Sequence, residues 1–219
     1  MTLYQRLERK LGRYAVPNLM KYICVMYAVG FLIQLSNPLF YYYYLDLDPE
    51  AILHGHIWRI LTFLFYFPSR NPLWAILGIW VYYSLGQTLE RIWGTFKYNF
   101  FFWTGVLLLV LGSLLAYLFT GISFQLDPTY MNFSIFLVYA LTFPNATFLL
   151  YFLIPIQAKY LAIFEAVLYG IFFFQSLLGG DFGGALAILL SFLNVGLFYY
   201  LTTRKPRRRG NTIDINAFR

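Results

Sequence analysis

Residues 179–190 read GGDFGGALAILL. Small residues fall four apart, Gly180 with Gly184 and Gly183 with Ala187, and the chain then stays apolar to about residue 202. Positions four apart share one face of a helix, and small residues on that face let a second backbone approach closely inside a membrane. One residue breaks the pattern: Asp181, a carboxylate at the head of an apolar helix. The stretch reads as a packing wall of a membrane bundle with a polar group at its mouth.

The composition around it agrees. Of 219 residues, 60% are hydrophobic and 11% charged, against about 25% charged in a soluble domain, so this is an integral membrane protein. A single cysteine, Cys24, excludes an intramolecular disulfide and a thiolate metal cage. The net charge of +7 is concentrated before the first apolar run and after the last. Basic clusters at those places orient helices against an anionic leaflet, so nucleic acid is not an expected partner.

A span needs about 20 apolar residues, the length of a ~30 Å hydrocarbon core at 1.5 Å per residue. Spans are expected near 20–44, 73–93, 98–120, 129–143, 156–177 and 182–202. This makes an all-α, polytopic six-helix bundle over 20–202, with a basic segment at 1–19 and a basic tail at 203–219 expected to be disordered. The fourth span is short and ends at Phe143-Pro144, where proline disfavours helix in the residue before it. It belongs at the centre, shielded by its neighbours. With both termini on one side, that side receives Arg6, Arg9, Lys10, Arg13, Lys21, Arg91, Lys97, Lys159, Arg204, Lys205, Arg207, Arg208, Arg209 and Arg219. Arg59 and Arg70 fall opposite, with Asp46, Asp48, Glu50, Asp127 and Asp181. Cytoplasmic termini are expected, and the compact size, short termini and basic tail suggest a prokaryotic plasma membrane.

Four stretches in register resemble the rhomboid superfamily: HIWRILTFLF at 56–65, LGQTLERIWG at 85–94, LTFPN at 141–145 followed by FLIPIQAKYL at 152–161, and DFGGALAILL at 181–190. The resemblance covers about 54–200 and takes in the inactive, Derlin-like branches as well as the proteases. It implies a six-helix rhomboid-like bundle with a central fourth helix. In active members that helix carries a serine in a Gly-x-Ser-Gly motif, and the sixth helix carries a histidine that takes the serine's proton.

The matching positions here are Ser134, within YMNFSIF at 130–136, and Asp181. No glycine flanks Ser134, and both histidines, His54 and His56, precede the second span. A serine hydroxyl needs a base to attack at neutral pH, and a carboxylate of pKa ~4 is poorly matched to it. No catalytic residues are therefore expected. The resemblance implies a catalytically inactive pseudoprotease whose partners are the lipid bilayer, which it perturbs locally, and transmembrane segments of client proteins, as in membrane protein quality control. The alternative is an active intramembrane serine protease with unorthodox residues. A small transporter is disfavoured by the scarcity of inward charge and the absence of an inverted repeat.

Other positions carry a sharp and a plain reading. Trp58 and Arg59 form a client or lipid interface, or else anchor the loop 45–72 to its own bundle at the headgroup boundary. Glu90, Arg91 and Gly94 close the second span, and the resemblance implies that Glu90 is a structural hydrogen-bonding residue; Pro144 and Asn145 form a turn. Glu165 is an intramembrane carboxylate in AIFEAVLYG, expected to be paired, protonated or facing a wet cavity. Gly180, Gly183, Gly184 and Ala187 dock the sixth helix on the fourth. His54-Gly55-His56 has no evident third ligand, so neither metal nor cofactor is expected.

Overall fold

The computed structural model describes residues 3–124, 126, 128–150 and 154–203; Asp127 and the basic tail from 204 lie outside them. The described chain is almost entirely helical. Helix α1 spans Leu3–Leu11, α2 Leu19–Ser36, α3 Pro38–Tyr44, α4 Pro49–Leu53 and α5 Arg59–Thr62. Then follow α6 at Pro72–Trp93, α7 at Thr95–Thr120, α8 at Thr129–Thr142, strands β1 at Thr147–Leu150 and β2 at Ile154–Gln157, α9 at Ala158–Gly179 and α10 at Phe182–Thr203. Helices α2, α7, α9 and α10 are long and apolar enough to cross a membrane. Together with the composition, they make the chain an all-α integral membrane protein.

The structure corrects the first expected span. What reads as one apolar run over 20–44 is two helices, because Asn37 leaves helical geometry and its side chain accepts hydrogen bonds from the amides of Leu39 and Phe40. Pro38 then occupies the first turn of α3, where its missing N–H costs nothing. No charged residue marks this break, so hydropathy passes over it.

A second difference lies between α8 and α9. Strands β1 and β2 form an antiparallel hairpin with Thr147 opposite Gln157, so α9 begins at Ala158 rather than 156. Pro155, inside β2, has no N–H to give a helix. The carbonyls of Ala146 and Pro144 accept from the amides of Ala158 and Lys159, closing the turn at the foot of both helices. The expected all-α fold thus carries one small hairpin at the end of α8.

Helix α8 has 14 residues, about 21 Å at 1.5 Å per residue, and packs on α6, α9 and α10. Tyr27 of α2 donates to Asn132 Oδ1 at 2.8 Å, and Ser191 of α10 donates to the Tyr130 carbonyl at 2.6 Å. Phe133 stacks on Tyr169 of α9, ring centroids 4.1 Å apart, and meets Phe192 of α10 edge-on. Hydroxyl-to-polar contacts of this kind fix the register of helices in an apolar medium, where hydrophobicity alone distinguishes no rotation. Helix α9, by contrast, sits at the rim: of its residues only Ala158 and Ala162 are buried.

The segment 45–71 folds over the end of α2. Its 3-10 turn at Phe63–Phe65 lies directly on Gly30, where a Cβ would fall 1.6 Å from the Phe65 carbonyl oxygen. Only glycine admits that approach.

Candidate functional site

Ser134 is completely buried on α8, and its hydroxyl donates to the Met131 carbonyl one turn back at 2.7 Å. The space beside it, between α8, α7 and α10, is lined by Gly105, Leu109, Leu190, Ser191 and Asn194 and measures about 10 Å³. A single water needs about that much. There is no room for a peptide carbonyl, and among the described residues the Ser134 hydroxyl has no hydrogen-bond partner besides the Met131 carbonyl.

Asp181 is elsewhere. The α10 residues facing Ser134 are Leu190, Ser191 and Asn194, and ten residues from Asp181 to Ser191 are about 15 Å of helix. Asp181 caps α10 instead: one carboxylate oxygen accepts from the Gly184 amide at 3.0 Å and the other from the Ser176 hydroxyl at 3.4 Å. A carboxylate at a helix N-terminus satisfies free amides and the helix dipole together. The two positions matched to a catalytic pair are not brought together.

The small residues of α10 also act differently from expectation. A Cβ on Gly183 would meet the Phe124 ring at 2.8 Å, one on Gly184 would meet Asp181 itself, and Gly180 adopts φ +79° to end α9. Ala187 is buried in the core. The close approach between helices comes from α7, where a Cβ on Gly112 would strike Leu190 at 2.3 Å and one on Gly105 would strike the Asn194 amide at 2.8 Å. The sixth helix therefore docks on α7 through the α7 glycines and on α8 through Ser191 and Phe192, rather than through its own small residues.

Arg59 is buried and forms an ion pair with Asp46. The same guanidinium donates to the Asp46 carbonyl at 3.2 Å and to the Tyr43 carbonyl, so its fork closes the C-terminal end of α3. Burial pushes the Asp46 carboxyl up to about 6 against the opposite pull of Arg59. Trp58, next in sequence, is 48% exposed; its indole N–H donates to the Tyr44 carbonyl at 3.1 Å and its face stacks on His56. His54 Nδ1 lies 2.8 Å from the Glu50 carbonyl oxygen. Arg59 thus latches the loop to its own bundle, while Trp58 presents its indole outward.

At the opposite end, Glu90 is buried and accepts from the Asn18 amide at 2.8 Å. Asn99 of α7 pairs with Val16 in both directions, accepting from its amide at 3.0 Å and donating to its carbonyl at 2.9 Å. These two side chains clamp the entry to α2, whose Asn18 takes a left-handed φ of 54°. Arg91 is exposed and Gly94, at φ +85°, joins α6 to α7. Pro144 and Asn145 are exposed in the turn before the hairpin.

Glu165 lies about a third of the way along α9, near enough to Tyr82 of α6 to act on it electrostatically. Tyr169, Phe172 and Ser176 follow it four, seven and eleven residues on, so all four share one face. That face borders a cleft of about 420 Å³ whose other walls are Tyr66 and Pro68 of the loop and Thr129 and Tyr130 of α8. Helices α6 and α9 make little direct contact, and the cleft lies between α9, the start of α8 and the loop at 66–68. Tyr82 and the buried amides Asn99, Asn132 and Asn194 were not singled out in the sequence. A search for lone amides within apolar helices would have found the three asparagines. Among the described residues, no three His, Cys, Asp or Glu side chains come together as a metal site would need.

Residues 19–215 match the model of the family described as eukaryotic integral membrane protein DUF1751. No curated protein and no solved structure matches the chain. The match spans most of the 219 residues, and the chain belongs to that family. This overturns the expected prokaryotic plasma membrane. The basic flanks that suggested it report only orientation against anionic lipid, which bacterial and eukaryotic bilayers share.

Proposed function

We propose, on the premise that the chain is one of these eukaryotic integral membrane proteins, that it is a catalytically inactive rhomboid-like bundle. In this reading α2, α6, α7, α8, α9 and α10 all cross the membrane. The protein receives transmembrane segments of client proteins laterally, between α6 and α9, and disturbs the bilayer where its helices are short.

The observation that carries this reading is the filled space around Ser134. Its hydroxyl is engaged by its own helix, and about 10 Å³ remains beside it. An acyl-transfer site needs a nucleophile, a base within about 3 Å and room for an oxyanion. The cleft supports the binding half. Its walls carry Tyr130, Tyr169 and Gln175, with Glu165 one turn along the same face of α9, so a client helix with a polar residue finds a partner there that lipid does not offer. Helix α9 is held mainly by α8, α10 and the hairpin, an arrangement suited to a wall that moves. At about 21 Å, α8 is shorter than a ~30 Å hydrocarbon core, and shortfalls of this size thin the surrounding lipid.

The test is photocrosslinking of a membrane-inserted single-span reporter carrying one lysine at mid-span. A benzophenone side chain replaces Phe172 or Gln175 in the cleft, or Leu111 on the outer face of α7. Crosslinks from the two cleft positions and few from Leu111, weakened by a leucine in place of the reporter lysine, support lateral reception. Equal capture at all three positions overturns it.

A further inference from the structure

A second cavity, also about 420 Å³, lies on the other side of the 45–71 loop, where the last turn of α2 and the first turns of α3 meet the segment 66–70. Its lining includes Phe31, Gln34, Leu35, Tyr42, Ser69 and Arg70. It is separate from the cleft beside α9, from which Tyr66 and Pro68 divide it, and plays no part in the client reading above.

Arg70 is exposed and has neither an ion-pair nor a hydrogen-bond partner among the described residues. The other arginine on this face, Arg59, is committed to Asp46 and Tyr43. The face is otherwise acidic, with Asp48, Glu50 and Asp181, yet none of these carboxylates pairs with Arg70. A second donor points the same way: Gln34 Nε2 is closed off from solvent with no acceptor among the described residues. An enclosed amide N–H without an acceptor is destabilising, so it marks a place where an acceptor belongs. A guanidinium fork, and an enclosed amide that a rotation of the Gln34 side chain brings to the same wall, beside a cavity whose lining holds no carboxylate, describe a site for a tetrahedral oxyanion.

The surroundings identify its source. Leu32, Leu35, Leu39 and Phe40 are exposed beside the cavity, and Tyr42, Tyr43 and Tyr44 follow them as an exposed aromatic band. Apolar side chains grading into tyrosines mark the depth at which acyl chains give way to headgroups. An oxyanion held there has carbon chains attached. We propose that this cavity binds the phosphate of a single glycerophospholipid, with the Arg70 guanidinium and Gln34 Nε2 donating to its oxygens and the acyl chains lying along Phe31 and Leu35.

The experiment is native mass spectrometry of the full chain released from detergent, with dioleoylphosphatidylcholine, dioleoylglycerol or inorganic phosphate added. One phosphatidylcholine retained per chain is expected, with roughly tenfold weaker retention of dioleoylglycerol. Arg70→Gln should reduce phosphatidylcholine retention about tenfold, Gln34→Leu less, and Arg91→Gln on the opposite face not at all. Inorganic phosphate that binds wild type but not Arg70→Gln, and displaces the lipid, supports the oxyanion site and shifts its source to free phosphate. Retention of dioleoylglycerol equal to phosphatidylcholine, or retention unchanged by Arg70→Gln in a variant with wild-type melting, overturns the proposal.

Discussion

Arg59 and Asp46 form a buried ion pair whose guanidinium reaches two backbone carbonyls as well as the carboxylate. The pair is asymmetric. Arg59 serves three acceptors, whereas the Asp46 carboxylate serves one donor group. Arg59→Met takes this donor from the Tyr43 carbonyl and leaves a carboxyl buried without a partner, a loss of about 3 kcal/mol. That corresponds to a fall of roughly 6–12 °C in melting temperature for a chain of this size. Asp46→Asn keeps an oxygen for the guanidinium and should cost far less. Thermal unfolding of both variants in detergent checks the order.

The same carboxyl sets a pH dependence. Its ordinary value is 3.8 and burial pushes it up to about 6, so between those values the folded chain holds a proton that the unfolded chain has released. Stability contributed by this group is therefore full below about pH 4 and falls as pH rises through about 6. Wild type should lose melting temperature relative to Asp46→Asn between pH 4 and pH 7. A constant difference across that range contradicts the assignment.

Gly30→Ala tests how the loop meets the bundle. A Cβ there would sit 1.6 Å from the Phe65 carbonyl oxygen, and backbone cannot swing aside as a side-chain tip can. Overpacking ordinarily costs about 1–3 kcal/mol, and here the loop should lift as a unit. A cysteine at Phe63, fully buried in wild type, becomes reactive to a maleimide if it does.

Glu90 separates charge from hydrogen bonding. Because its role is to accept from the Asn18 amide, Glu90→Gln should keep nearly wild-type melting, while Glu90→Leu leaves that amide unpaired and costs about 1–3 kcal/mol. Asn99→Leu frees both backbone groups of Val16 and should cost at least as much. Equal losses in Glu90→Gln and Glu90→Leu would point to the charge instead.

Much of the helical plan is legible in the sequence because apolar runs broken by Gly94, Gly121 and Gly180 mark where helices end. The break at Asn37-Pro38 and the hairpin at 147–157 are not, since both depend on capping and strand pairing inside apolar stretches that hydropathy treats as uniform. Among site residues, the structural part played by Glu90 is what the resemblance implies, whereas its partner, the Asn18 amide 72 residues earlier, is not legible in the sequence. Asp181 does not follow in the same way. Its position in the motif suggests a place opposite Ser134, and only the helical rise, fixing Ser191 and Asn194 at that level, shows it capping α10 about 15 Å away. The burial of Arg59 beside an exposed Trp58 likewise depends on a carboxylate thirteen residues earlier.

The central claim is that Ser134 fills space and does not attack a peptide bond. Its most direct test incubates the purified chain in liposomes with a labile single-span reporter, alongside Ser134→Ala and Asp181→Ala. The account predicts no cleavage above that of empty liposomes in any sample. Reporter cleavage by wild type that disappears in Ser134→Ala, with that variant's melting unchanged, contradicts it.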